Sequence, residues 1–436
     1  MASPAGRAGK PGLAMLRRVL KNFGVVLRER GIAAVFSVGA TGLMANALPA
    51  TEFGLVILVH TYVMVVRGLL NFRTFEAIVR FGIPLGDAGD DRGLRSLLRS
   101  TMMIDVGAAL LAMIGGMAAA PLAGHFLQWN SDMVTWAVVY CLVILSTANG
   151  TPSGILRIYD RFDALGVQFT VGPALRFLMV SAAWAMDAPM QIFLFAWGSA
   201  FAAGHLYMFL RGMKELKLQM GTSLWSGFRW REIRQRHGDF WKFIGVVYWQ
   251  TNIDLLPKHV STLMAGALLG PAAAGLFRLA REFSTVLTQP AVTLREVMFP
   301  DLTRSYHADD AGFQTVPWRT AFLAGAAGLV IVVLSLFISR PLLGVVGVEY
   351  VAAAPLVSLM LLAATFELAG ASLRAAAYAM GRAASILRIH AIGILTYVTM
   401  FLVLTPVTGL IGPGLAQIMS TVLVLALTGI LIKRVL

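Results

Sequence analysis

The feature that most constrains this chain is a succession of long apolar runs. A helix that crosses a bilayer needs roughly 20 mainly apolar residues. Twelve segments meet that demand, near 31–48, 53–70, 101–120, 133–150, 165–186, 190–210, 242–268, 272–299, 320–338, 352–376, 387–405 and 411–432. The runs are continuous and lack the alternation that a membrane barrel strand carries over about ten residues, so the expected fold is an all-α polytopic membrane protein. Composition agrees. Only 13% of the residues are charged, against roughly 25% in an ordinary soluble domain. That excludes both a disordered chain and the water-soluble enzyme of two or three domains that 436 residues alone would suggest. The single cysteine, Cys141, has no partner within the chain for a disulfide framework.

The net charge of +14 does not call for nucleic acid. In a membrane chain, excess Lys and Arg marks the loops that face the cytoplasm. Seven basic residues fall in the first thirty positions, five between Arg73 and Arg99, and eight between Arg211 and Lys242. The opposite loops, 49–52, 121–132, 187–189, 269–271, 339–351 and 406–410, hold only Arg340. The asymmetry puts both termini in the cytoplasm. The N-terminal segment is too basic throughout to read as a cleaved signal peptide. Leu13, Leu16, Leu20, Phe23 and Leu27 form instead the apolar face of an interfacial helix, and Arg17, Arg18, Lys21 and Arg28 its polar face. Trp225, Phe228, Trp230, Arg231, Arg234 and Arg236 suggest a second such elbow before span seven.

The expected organisation is therefore a cytoplasmic elbow over 1–30, a six-helix lobe over 31–210, a basic linker and elbow over 211–241, and a second six-helix lobe over 242–436. Because six is even, each lobe starts on the cytoplasmic side, which implies a parallel pseudo-repeat rather than an inverted one. Two matched turns support the duplication: Pro49-Ala-Thr-Glu-Phe-Gly-Leu55 after span one, and Gly270-Pro-Ala-Ala-Ala-Gly-Leu276 after span seven. The inner ends of spans four and ten match as well, with Asp160-Arg161 in one and Gly381-Arg382 in the other.

Several stretches carry a family resemblance. In the first half they are Leu48-Pro-Ala-Thr-Glu-Phe-Gly-Leu55 and Thr151-Pro-Ser-Gly-Ile-Leu-Arg-Ile-Tyr-Asp-Arg-Phe162. In the second half they are Asp254 to Leu276, Pro300 at the end of span eight, and Gly347-Val-Glu-Tyr350 before span ten. In order and spacing the chain resembles the Wzx-type polysaccharide flippases of the multidrug/oligosaccharidyl-lipid/polysaccharide exporter superfamily. The resemblance implies two six-helix lobes around a cavity that opens alternately to each side of a bacterial inner membrane. The implied activity is flipping of a polyprenyl-diphosphate-linked glycan, an O-antigen or exopolysaccharide repeat unit, from the cytoplasmic to the periplasmic leaflet. It further implies membrane lipids and polysaccharide polymerase or export machinery as partners, and a working monomer.

Ionisable residues at membrane depth are rare and usually face a bundle interior or a watery cavity. Here they are Arg67 in span two, Asp105 in span three, Arg176 in mid-span five, and Asp254 and Lys258 in span seven. Span eight adds Arg278, Arg281, Glu282, Arg295 and Glu296, and span ten Glu367 and Arg374. Two readings stand open. In one, acids pair with bases in their own helix, as the i,i+4 spacing of Asp254–Lys258 and Arg278–Glu282 allows. In the other, the basic groups line a cavity for an anionic headgroup, since a diphosphate needs two or more cations and the arginine fork suits its oxygens. On that reading the substrate-binding candidates are Arg176, Lys258, Arg278, Arg281, Arg374 and Arg67. Arg176 is the sharpest of them, because no acid shares its helix. Arg67 and Arg295 lie near inner ends, where snorkelling is also open. Asp254 and Glu367 are candidates for ion coupling, alternating between protonated and cation-paired states.

No His, Cys or carboxylate cluster has metal-site spacing, so neither metal nor cofactor is expected. Nor does any Gly-rich loop with Lys-Ser/Thr point to an ATP-driven pump. No outer loop is long enough to carry the catalytic groups of a polymerase or ligase, so no catalytic residue is expected. A drug exporter of the same superfamily is the alternative. Organic cations would favour a carboxylate-dominated cavity, and the cationic excess counts against it.

Overall fold

The computed structural model describes residues 31–221, 224, 239–253, 259–307 and 312–435, and among the described residues there is no β-strand. Both expected basic elbows, and the candidates Asp254 and Lys258, lie outside the described residues.

Every expected span contains a helix. The first six are Gly31–Ala47, Ala50–Leu69, Asp91–Phe126, Ser131–Tyr140 with its continuation, Phe162–Ala185 and Met190–Met220. Span seven comprises Phe240–Ile253 and Ser261–Leu269. The rest are Pro271–His307, Gly312–Val346, Ala354–Ala379, Ala383–Thr408 and Gly412–Val435. Among the described residues, eight helical stretches are long and apolar enough to cross a membrane, and one of them, Ala383–Val435, contains spans eleven and twelve. Spans one, seven and eight fall short of that measure. Span one is brief, and span eight carries Arg278, Arg281, Glu282 and Arg295 along its length.

Several helices run well beyond their apolar windows. Span three has 36 residues, or about 54 Å at 1.5 Å per residue, against roughly 30 Å of hydrocarbon. Its extra turns at the N-terminal end have their own apolar face. Leu94, Leu98 and Met102 are buried with Ile78, Ile155, Leu216 and Leu224, and the Arg99 side chain donates to the Leu224 carbonyl at 2.6 Å.

Span four departs from expectation. It runs as an α-helix over Ser131–Tyr140, tightens to a 3-10 helix over Cys141–Thr147, leaves helical geometry at Ala148 and Asn149, and resumes as Gly150–Ile158. Irregular backbone at membrane depth persists where it is buried in protein or lines a cavity. The break is therefore a pointer to a site.

By contacts the chain forms two compact units. The first contains the described residues of Met1–Met44, Val63–Pro121 and Val134–Asn252. The second contains those of Ala45–Tyr62, Leu122–Met133 and Ile253–Leu436, so it gathers three separate stretches. Within it the two matched turns pack on each other. A side chain at Gly54 would run into the Pro271 carbonyl, and a Cβ at Gly275 would sit 2.7 Å from the Phe53 ring and 3.2 Å from the Gly54 Cα. Only glycine at both positions lets the backbones approach so closely. Hydrogen bonds fasten the same region: Ala50 N–H to Glu349 at 3.0 Å, Tyr350 O–H to the Leu48 carbonyl at 3.2 Å, and Asn46 to the Val346 carbonyl at 2.9 Å.

Candidate functional site

The first unit holds a polar cavity of about 230 Å³ at the break in span four. Asp105, from span three, organises its wall. Its carboxylate accepts from the Thr74 hydroxyl at 2.6 Å, from the Thr151 backbone N–H at 2.6 Å and from the Thr151 hydroxyl at 2.7 Å. Asn149, at the N-cap position of helix Gly150–Ile158, makes no side-chain cap bond. A carboxylate from a neighbouring helix takes that place, where a negative charge meets free N–H groups and the positive end of the helix dipole. Asp105 thus ties the restart of span four to the short helix Thr74–Ala77. Gly150 is required here, because any Cβ would press on Thr74 and Asp105.

That tie fixes Phe75, and Phe75 fixes two cations. The Arg157 guanidinium lies 4.2 Å from the centroid of the Phe75 ring and that of Arg73 lies 5.4 Å from it. Arg157 also donates to the Ser153 carbonyl at 3.0 Å and to the Ser153 hydroxyl. Arg73 pairs with Glu76 at 3.0 Å. Arg67 lines the same cavity, 3.5 Å from the His205 ring nitrogen and 5.7 Å from the Phe201 centroid. Three arginines therefore face a space in which Asp105 is already engaged in three hydrogen bonds. Asn71, Asn149 and Gln168 complete the polar lining.

The second unit holds two cavities, of about 350 Å³ and 250 Å³, with a shared wall of Glu367, Tyr397 and Gln417. Arg281 lines the larger; it donates to the Ser261 hydroxyl at 3.1 Å and lies 5.8 Å from the Phe277 centroid. Tyr397 hydrogen-bonds the same serine. Arg374 and His390 line the smaller cavity. Arg374 is buried and donates through Nη2 to the Glu367 main-chain carbonyl at 3.1 Å, while its Nε has no partner.

The remaining sequence candidates sort differently. Arg278 closes on Glu282 at 2.5 Å, within one helix. Arg176 donates to the Ser37 hydroxyl at 2.7 Å and lies 4.3 Å from the Trp197 ring centroid. Neither lines the three cavities. Arg67, Arg281, Glu367 and Arg374 do. Sequence reasoning passed over Asp105 as a cap, and counted Arg73 only among the loop charges that set orientation. The available signals were the interleaving of Asn71-Phe-Arg73-Thr-Phe75 and the Asn149-Gly-Thr-Pro152 breaker inside an apolar run.

Comparison with known proteins places the fold. No family model matches the chain. The inner membrane protein YghQ of Escherichia coli (strain K12) is 27% identical over 350 residues, covering 78% of this chain and 96% of its own. An inward-facing multidrug resistance MATE family transporter of the MOP superfamily superposes with a TM-score of 0.73 at 14% identity, covering 94% of this chain and 98% of its own. The lipid II flippase MurJ, in an inward closed conformation, gives 0.69 at 12% identity over 92% of this chain and 86% of its own. The chain is a multi-pass, all-helical membrane protein with the fold these transporters and flippases share.

Proposed function

We propose that the chain flips a polyprenyl-diphosphate-linked oligosaccharide across a bacterial inner membrane by alternating access, with both termini on the cytoplasmic side. The observation that carries the reading is the pair of arginines on one phenyl ring. Arg73 and Arg157 lie against the Phe75 ring beside Arg67 in a polar cavity. Glu76 pairs with Arg73 and offsets one of the three charges; a cationic excess remains, and a diphosphate offers several oxygens to arginine forks. The prenyl chain needs no pocket, because the lipid surrounding the helices is its solvent. The reaction makes and breaks no bond, so no residue has a catalytic role. The MurJ-like fold and the similarity to an inner membrane protein are in keeping with this reading.

Of the sequence candidates, Arg67 remains a phosphate ligand on this reading, and Arg73 and Arg157 join it. Arg176 and Arg278 become packing residues through Ser37, Trp197 and Glu282. Asp254 and Glu367 stay candidates for coupling.

A drug-export reading of the same fold is favoured by one observation: among the described residues the Glu367 carboxylate accepts no hydrogen bond and closes no ion pair, and so could meet an organic cation. One experiment separates the two. Lipids are extracted from host cells lacking the chain, with wild type or the Arg73→Ala/Arg157→Ala double variant re-expressed. Accumulation of a diphosphate-linked oligosaccharide, cleared by wild type and not by an equally abundant double variant, is the expected result. No accumulation, with new sensitivity to cationic drugs, overturns the flippase reading in favour of export.

A further inference from the structure

The second unit's paired cavities suit neither an anion nor a cation. A phosphate entering beside Arg281 or Arg374 would face the Glu367 carboxylate, which lines both spaces. An organic cation on Glu367 would face the two arginines. The open valences instead ask for groups that donate and accept at once. Glu367 offers carboxylate oxygens that no described donor occupies. Arg374 lines the smaller space with its guanidinium tied through Nη2 to the Glu367 main-chain carbonyl. Gln417 adds an amide with one acceptor and two donors.

The surrounding hydroxyls narrow the choice further. Ser284 donates to the Arg281 carbonyl at 2.7 Å, Thr285 to the Glu282 carbonyl at 2.6 Å, Ser420 to the Gly393 carbonyl at 2.7 Å and Thr421 to the Gln417 carbonyl at 2.9 Å. With their protons committed, these oxygens face a ligand chiefly as acceptors. The ligand this lining describes is uncharged and dense in hydroxyl groups.

We propose that this pair of cavities is a sugar-binding site, in which two adjacent hydroxyls of a pyranose donate to the Glu367 carboxylate while the Gln417 amide donates to a neighbouring sugar oxygen. The assignment rests on the flippase reading for its biological substrate. It gives Glu367 a role in specificity.

The test is direct binding to the full chain, purified in an amine-oxide detergent so that no sugar headgroup competes. Saturation-transfer NMR is run with the methyl glycosides of glucose, galactose, mannose and N-acetylglucosamine, and with tetraphenylphosphonium and inorganic pyrophosphate as contrasts. At least one glycoside is expected to bind. Glu367→Gln and Gln417→Ala, each melting as wild type does, should weaken it about tenfold or more, and Arg304→Ala, at an exposed residue paired with Asp301, should leave it unchanged. No glycoside binding to wild type, equal binding to Glu367→Gln, or a Glu367-dependent site that takes tetraphenylphosphonium in place of sugar would each overturn the proposal. The lipid experiment above fails separately. Glu367-dependent glycoside binding without lipid-linked glycan accumulation removes the flippase reading and keeps the sugar site, whereas accumulation without glycoside binding does the reverse.

Discussion

Replacing Asp105 by alanine tests the construction of the first unit's cavity most sharply. The carboxylate accepts three hydrogen bonds, at 2.6, 2.6 and 2.7 Å. Hydrogen bonds to a charged group each stabilise by about 1.5–3 kcal/mol, but the three losses are not equal. The Thr74 and Thr151 hydroxyls can rotate in search of other acceptors and recover part of theirs. The Thr151 N–H cannot. It is fixed in the first turn of helix Gly150–Ile158 at a buried residue, and leaving it unpaired costs about 1–3 kcal/mol. Relief from holding a carboxylate out of water offsets part of the sum. The expected net loss for Asp105→Ala is about 3 kcal/mol, roughly a hundredfold in the folded-to-unfolded ratio. Asp105→Asn keeps one acceptor oxygen and should lose about 1 kcal/mol. Equilibrium unfolding in mild detergent reads the difference, and amide hydrogen exchange over 150–158 and 74–77 locates it. Glycolipid clearance should fall further than stability does, because the same tie positions Phe75 beneath Arg73 and Arg157. If Asp105→Ala unfolds within about 0.5 kcal/mol of wild type, with exchange over 150–158 unchanged, the carboxylate is not the cap and the argument fails.

Three other perturbations have signed outcomes. Gly54→Val drives a side chain into the Pro271 carbonyl, and should destabilise by about 1–3 kcal/mol or prevent folding; Gly42→Val, with nothing within 4 Å of its Cβ, is the tolerated control for expression and melting. Arg161 and Glu215 pair at 2.6 Å with side chains 34% and 5% exposed, so Arg161→Ala, which strands a buried carboxylate, should lower the unfolding free energy more than Glu215→Gln, which leaves a half-exposed guanidinium still bonded to Asp163; equal losses would refute the asymmetry. Arg176→Ala and Arg176→Lys should both lower melting temperature, since neither keeps the planar fork that reaches Ser37 and lies over Trp197, with glycolipid clearance falling only as far as the amount of folded protein falls.

The helices were legible because burial in lipid leaves the backbone no other way to satisfy its polar groups, so apolar length alone marks a span. The extensions beyond the apolar runs were not. Leu94 and Leu98 prolong span three by burying against Ile78, Ile155 and Leu216, an interaction with residues distant in sequence that no hydropathy window contains. Span four misled in the opposite sense. Residues 133–150 read as one uniform apolar run, and the tightening at Cys141–Thr147 followed by the restart at Gly150 depends on Asp105 being present to cap the second piece. The paired glycines were visible as a repeated motif. That Gly54 and Gly275 touch each other was not, because a repeat shows equivalence and says nothing of contact.

The membrane-depth charges divide according to where their bonding capacity is spent. Arg278 spends its charge on Glu282 one turn away, as i,i+4 spacing permits from sequence alone. Arg176 looked the most available because no acid falls in the expected span 165–186, yet a buried guanidinium needs acceptors and π-faces as much as counter-charge, and Ser37 and Trp197 supply both. Absence of an acidic neighbour is therefore a poor sign of a ligand-binding arginine. The better sign is a polar side chain whose local partners leave valences directed at a cavity. Arg157 meets it beside Phe75, where the Arg73 charge is already shared with Glu76, and Glu367 meets it through a carboxylate that accepts no described hydrogen bond. Each persists folded against the cost of a charge that its neighbours do not fully offset.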